Sequence, residues 1–280
     1  MRTLSGRRVL VTGAGSGIGR ALALRFAREG AEIVAADLRE AAAAETASTI
    51  RATGGRAAGY SVDVTDPAAV AAFRHRLMAD AGPIDVLVNN AGVVHGGAFL
   101  DVPLADHLAT YRVNTEGVVI MTHAFLSDLM IRPESHLVQI ASASAFVGLP
   151  FGATYASSKW SVVGFSESIR MELGQQGHRH VGVTAVCPSY VQTGMFDGAR
   201  APRFTPILTA DRVADLTVRA VLGNRAFVLT PWLVKLTPML NAALPRWLFD
   251  RLSGMFGVTT SMTSWHGRGP QPGGSASKRR

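Results

Sequence analysis

Short apolar runs alternate with helix-patterned segments along most of this chain, and that alternation leaves few folds open. RRVLVTG is followed by GIGRALALRFAREG, then by AEIVAAD and an alanine-rich segment reaching about Thr53. Brief apolar runs bounded by glycine or proline read as strands, whereas apolar residues recurring at three and four read as helices. The rhythm continues through AAGYSVD, a helix begun by Asp66 and Pro67, IDVLVNN, and a long helical region at 104–131. HLVQIAS, the helix holding YASSK, VGVTAVCP, a helix from about Ala210, and AFVLT complete it. The strands are nearly continuous apolar runs, as expected where helices cover both faces. Seven strands joined by crossover helices predict an α/β fold of Rossmann type, a doubly wound parallel sheet with helices on both faces.

The chain has 280 residues, 48% hydrophobic and 17% charged, which suits one large core. The expectation is a single domain over 1–266, with no dividing linker or solenoid repeat, and a disordered basic tail at 267–280 that cannot bury apolar surface. One cysteine, Cys187, excludes an internal disulfide, and no Cys/His cluster argues for a metal, so a cytoplasmic setting is expected. Val9, Leu10 and Val11 make too short a run for a signal peptide, and Ala226 to Leu244 is broken by Pro231, Lys235 and Pro238, so no transmembrane segment is expected. Of the net +8, the tail's Arg268, Lys278, Arg279 and Arg280 supply four, leaving a modest +4. With no basic stripe or aromatic platform, nucleic acid is not an expected partner.

TGAGSGIG follows the first strand and opens the first helix, with glycines at 13, 15, 17 and 19. Such a turn lets backbone approach a pyrophosphate, and the helix offers it unpaired N–H groups and a positive dipole end. Asp37 closes the second strand 18 residues beyond Gly19, where a carboxylate accepts from adenosine ribose hydroxyls. A carboxylate there repels the 2′-phosphate of NADP, and Ala14 and Ser16 bring no cation to the turn, so NAD is favoured over NADP despite Arg39 two residues on.

Downstream of TGxxxGxG lie NNAG at 89–92, Ser142, and YxxxK at 155–159. Together, over about residues 5–230, these resemble the short-chain dehydrogenases/reductases. The resemblance implies NAD(P)-dependent interconversion of an alcohol and its carbonyl, with Asn114, Ser142, Tyr155 and Lys159 as the catalytic group. It also implies cofactor contacts from Gly13, Ser16, Gly17, Ile18 and Gly19, from Asp63 and Val64, from Asn90, Ala91 and Gly92, and from Val191 and Thr193, besides Asp37, Tyr155 and Lys159. Ser189 stands where the family has a glycine. A homodimer or homotetramer is a further implication.

The chemistry fits those residue types. Tyrosine holds its proton too tightly at pH 7, and bringing its pKa from 10 to near 7 takes roughly 4 kcal/mol. An ammonium about 4 Å away at an effective dielectric near 20 supplies an energy of that order, so Lys159 is nearly sufficient on its own. Ser142 can donate to a substrate oxygen, and by the resemblance Asn114 holds a water linking Lys159 to solvent. Ala156, Ser157 and Ser158 are small enough to leave room for a nicotinamide ribose. Cys187 and His95 are read as packing and local contacts. The rival class is a dinucleotide-sensing binding protein without turnover, which would bind NAD yet form no NADH.

Residues 194–258 are expected to form a substrate lid and an apolar C-terminal region. Trp232, Leu236, Leu240 and Leu244 recur every four residues and are followed by Trp247, Leu248, Leu252, Met255 and Phe256. Core packing is the leading expectation for them. The alternatives are walls of a pocket for a lipophilic alcohol or ketone, such as a sterol, retinoid or long-chain alcohol, an oligomer interface, or a peripheral membrane contact assisted by Lys235, Arg246 and Arg251.

Overall fold

A computed structural model describes residues 1–267; the expected basic tail, from 268 onward, lies outside the described residues. In chain order the strands are β1 (Arg8–Thr12), β2 (Glu32–Asp37), β3 (Arg56–Ser61), β4 (Val86–Asn89), β5 (Ser135–Ile140), β6 (Val181–Pro188), β7 (Val191–Gln192), β8 (Leu208–Thr209) and β9 (Phe227–Thr230). The helices are α1 (Gly17–Arg28), α2 (Glu40–Ala52), α3 (Pro67–Asp80), α4 (Leu104–Tyr111), α5 (Gly117–Met130), α6 (Ala153–Gln175), α7 (Ala210–Leu222), α8 (Thr237–Ala243) and α9 (Arg246–Met255).

Seven strands form one sheet in the order β3-β2-β1-β4-β5-β6-β9, parallel throughout, while β7 and β8 pair separately. After β3 the chain crosses back to lay β4 on the other side of β1, so the strand order reverses between β1 and β4. Crossover loops diverge there and leave a crevice at the carboxyl ends of the strands, where open α/β sheets bind ligands. One face packs Phe26 and Leu22 of α1 with Val213, Val218 and Val221 of α7, and the other packs Phe73 and Leu77 of α3 with Met121, Phe125 and Leu129 of α5. No helix among the described residues is long and apolar enough to cross a membrane.

Local signals explain several boundaries. The Asp66 carboxylate accepts from the N–H groups of Ala68 and Ala69, and Pro67 fills the first helical position of α3. Two expected helices are divided. The region 104–131 is interrupted by a π-helical turn, Arg112–Glu116, in which the Gly117 N–H bonds to the Arg112 carbonyl. The four-residue apolar repeat after Trp232 is split into a 3₁₀ turn at Trp232–Lys235 and the short α8, because Pro238 cannot donate to the preceding turn and Pro245 stops the next.

β5 carries a buried histidine that links fold stability to pH. His136 Nε2 lies 2.7 Å from Thr184 Oγ1, whose hydroxyl donates to the Arg225 carbonyl, so the ring donates from Nε2. Its register partner on β6 is Gly182, where a Cβ would sit 2.4 Å from the ring. Burial lowers its pKa from 6.5 to about 3. Between those values the unfolded chain holds a proton that the folded protein refuses, so stability falls as pH drops through 6.5 and levels off near 3. This residue alone contributes a slope of about 1.4 kcal/mol per pH unit. His136→Gln, followed by urea unfolding from pH 6 to 3.5, is expected to lose stability less steeply by about that slope.

Candidate active site

The crevice at the strand-order reversal holds a cavity of about 560 Å³. Gly13, Ser16, Gly17 and Ile18 line it from the turn after β1, Asp37 from the end of β2, and Asp63 and Val64 from the segment after β3. Asn90, Ala91 and Gly92 follow β4, Tyr155 and Lys159 project from α6, and Val191 and Thr193 come from β7 and the residues after it. Strand succession therefore converges these positions on one space. Gly13 and Gly17 have φ of 62° and 54°, which the tight turn requires and a side chain resists.

Gly19 does not line the cavity. It is buried beneath the turn, where a Cβ would meet the Gly13 carbonyl oxygen at 2.1 Å, so its glycine serves the close approach of α1 to the turn. No acidic side chain stands in the first turn of α1 and no side chain caps it, so its amide end is open to an anion. Asp37 Oδ2 accepts the Gly15 N–H at 2.9 Å and Oδ1 accepts the Arg39 N–H at 3.0 Å, which fixes the carboxylate at the cavity rim.

Asn90 bridges the turn and β4: its amide donates to the carbonyls of Thr12 and Gly13 at 2.9 and 3.3 Å. Asn114, in the π-helical turn and fully buried, is likewise committed. Its Oδ1 accepts the Val93 N–H at 2.9 Å, and its Nδ2 donates to the Val93 carbonyl and to Ser158 Oγ, each at 3.0 Å. Both amide N–H groups are thus taken by protein acceptors, while Oδ1 keeps a second lone pair. The small residues of YASSK also differ from expectation. None of Ala156, Ser157 or Ser158 lines the cavity; Ala156 packs beside Tyr155, Ser157 meets Tyr111, and Ser158 joins Asn114 to the Tyr155 carbonyl. Their smallness lets α6 lie against the π-helical turn.

β5 ends at Ile140, two residues before Ser142, which instead caps a 3₁₀ turn by accepting the Ser144 N–H at 3.1 Å. The Ser142 side chain also hydrogen-bonds to Tyr155, which favours the phenolate, but burial is the larger effect and holds the Tyr155 pKa well above 10. Lys159 is equally buried. Its Nζ donates to the Ile140 carbonyl at 2.8 Å and lies 5.8 Å from the centre of the Tyr155 ring, and burial lowers its pKa to about 8. Desolvation penalises both charges, so burial raises the Tyr155 pKa while it lowers that of Lys159.

A second cavity, of about 310 Å³ and mostly apolar, adjoins the first; Tyr155, Ser189 and Phe196 line both. Its remaining wall includes Ser142, Leu149, Leu240, Phe249, Leu252 and Phe256. Core packing is thus not the role of the C-terminal run: α8 has no buried residue and α9 only Phe249. Within the 194–258 region expected as a lid, the sequence did not single out Phe196, whose ring stands edge-on to Tyr155 and Tyr190 at 5.5 and 5.2 Å. The segment after α9 was missed too. Trp265 Nε1 donates to the Met195 carbonyl at 3.0 Å and the Arg200 N–H to the Ser261 carbonyl at 2.8 Å, holding the 194–205 segment in place. Only contacts far apart in sequence reveal these. Cys187 is packed, its thiol pushed up to about 12 by burial, and His95 makes a local contact with Thr110 at 3.0 Å.

The model of the family described as short chain dehydrogenase matches residues 7–203. The chain belongs to the short-chain dehydrogenase family. Among relatives of this short-chain dehydrogenase, the epidermal retinol dehydrogenase 2 of Homo sapiens is 33% identical over 247 residues, covering 87% of this chain and 80% of that protein. Short-chain dehydrogenase/reductase 3 of Homo sapiens is 35% identical over 271 residues, covering 96% and 89%. A crystal structure of a short-chain dehydrogenase/reductase from Burkholderia phymatum in complex with NAD superposes with a TM-score of 0.79 at 29% identity, covering 90% of this chain and 97% of that one.

In this dehydrogenase, Asn114→Ala would strand the Val93 N–H and carbonyl and remove the donor to Ser158. Urea unfolding is expected to show a loss of about 3 kcal/mol, in keeping with several buried polar groups left unpaired.

Proposed function

We propose that this short-chain dehydrogenase interconverts a primary or secondary alcohol and its carbonyl, with NAD as the preferred cofactor and a lipophilic substrate. The observation that carries the reading is that the Tyr155 side chain is a shared wall of the polar crevice and the apolar cavity. The residues present fit a dinucleotide: the open amide end of α1 suits a pyrophosphate, and Asp37 suits ribose hydroxyls. Gly92 keeps space beside Lys159, since a Cβ there would lie 3.2 Å from Asn114 Oδ1 and 3.6 Å from Lys159 Nζ. Gly13, Ser16, Gly17, Ile18, Asp37, Asp63, Val64, Asn90, Ala91, Gly92, Val191 and Thr193 would hold it, and a nicotinamide supplies or accepts the hydride.

Tyr155 transfers the proton at the substrate oxygen. Its raised pKa keeps it protonated in the resting protein, the form that carbonyl reduction needs. Oxidation needs the phenolate, which the Ser142 hydrogen bond favours and which a neighbouring ammonium such as that of Lys159 stabilises. Ser142 also donates to the substrate oxygen as charge develops there. Asp37, with its carboxylate fixed at the rim, supports NAD through repulsion of a 2′-phosphate. The apolar cavity walled by residues 194–258, and the retinol dehydrogenase named among the relatives, support a lipophilic alcohol such as a retinoid, sterol or long-chain alcohol. Exposed Leu104, Leu108, Val119 and Met171 on α4, α5 and α6 support assembly as a homodimer or homotetramer.

A panel of short polar and long apolar alcohols, run with NAD⁺ and with NADP⁺, is expected to give higher kcat/KM for long alcohols and for NAD⁺. Tyr155→Phe is expected to lower kcat at least about a thousandfold. Binding of NAD⁺ without NADH formation across the panel would overturn the reading in favour of a sensing protein.

The pH profile gives a second check. Lys159 loses its charge as pH rises through about 8 in the free enzyme, and with it the field that helps Tyr155 hold the developing oxygen charge. The kcat/KM for carbonyl reduction is expected to be level at neutral pH and to fall above about pH 8; a profile flat to pH 10 would contradict the assigned role.

A further inference from the structure

The outer surface of the C-terminal helices is left uncovered. α8, TPMLNAA, contains no charged residue and buries none of its side chains. Its line continues from the preceding 3₁₀ turn: Trp232 and Met239 are 63% and 60% exposed, and Leu236 lies between them. On α9, Trp247, Arg251 and Met255 fall at i, i+4 and i+8, one stripe of the helix, with the two apolar residues 67% and 63% exposed. Phe204 is 75% exposed and stands edge-on to Phe256, 6.2 Å away, so the surface extends onto the segment before β8. Isolated exposed apolar residues are ordinary, but Trp232, Met239, Trp247, Met255 and Phe204 lie on segments that succeed or pack on one another, more exposed apolar surface than a solvent-facing terminus carries.

Its charges identify the occupant. Lys235, Arg246, Arg251, Arg200 and Arg203 are exposed across these segments, against Asp197 and Asp250, and Asp250 is drawn to Arg246 at 3.9 Å. Two copies meeting through this face would bring these cations together, whereas an anionic lipid surface neutralises them. Tryptophans flanked by Lys and Arg above an apolar face are the composition that settles at the boundary between headgroups and acyl chains. We propose that the Trp232–Met255 surface docks on anionic membranes in the monotopic manner, lying on the bilayer without crossing it. The inner faces of the same helices, through Leu240, Leu252 and Phe256, wall the apolar cavity. Resting on the proposed function, a lipophilic alcohol would then enter from the bilayer without passing through water.

Flotation of the full chain with phosphatidylcholine vesicles, with and without phosphatidylglycerol, tests the surface without any use of turnover. The protein is expected to float with the anionic vesicles, to float weakly with neutral ones, and to be released by high salt. The double variant Trp232→Ser/Trp247→Ser is expected to bind about tenfold less, and Lys235→Gln/Arg251→Gln to lose about fivefold per cation removed. Neither pair lines the cavity, so turnover of a water-soluble alcohol is expected to stay unchanged in both. Absence of flotation at low salt, or equal flotation of the tryptophan variant, overturns the proposal. Light scattering without lipid is expected to give one mass for wild type and tryptophan variant; a smaller mass for the variant would assign this face to a second copy instead.

Discussion

A lysine ammonium is buried here and, among the described residues, no carboxylate pairs with it; much of the site follows from that burial. Lys159 reaches its carbonyl partner only because β5 ends at Ile140 beneath α6. An unpaired buried charge is costly, and the cost appears in the pKa lowered to about 8. Tyr155, equally buried, is pushed the opposite way. The two perturbations are mutually relieving: an ionised phenol would stabilise the ammonium, and the ammonium the phenolate. Two ordinary residues thus take up opposite shifts in proton affinity when both are desolvated together.

The scaffold around the pair is correspondingly rigid. Asn114 ties the loop after β4 to α6 through Val93 and Ser158, and Ser158 in turn holds the Tyr155 carbonyl. The π-helical turn that carries Asn114 interrupts an otherwise continuous helix, as such bulges often do at functional sites. Around the apolar cavity the chain closes on itself. The segment after α9 returns to hold Met195 and Arg200, so Phe196 is fixed against Tyr155 by contacts from the far end of the chain.

The C-terminal helices serve two directions at once. Their inner faces give the apolar cavity its wall, and their outer faces leave tryptophan and methionine in contact with solvent. That division explains why the segment is more apolar than a terminal helix on a finished core needs to be: it encloses a cavity and has a second surface to cover.

The parallel sheet, the glycine turn, Asp37 and the YxxxK pair are legible in the linear chain, because each depends on local signals: strand-like runs, glycines that permit a positive φ, and a four-residue helical spacing. What those residues experience depends on the assembled fold. Tyr155 and Lys159 sit at the spacing the sequence shows, yet their proton affinities depend on how much water the surrounding elements exclude, and no local pattern encodes that. Gly19 looks like part of a phosphate turn in the sequence and proves to be a packing contact with Gly13 and Asn90. Trp232, Leu236, Leu240 and Leu244 read as one buried stripe, yet prolines divide them and the fold leaves the outer residues uncovered. Periodicity tells which residues share a face; only the assembled chain tells what that face meets.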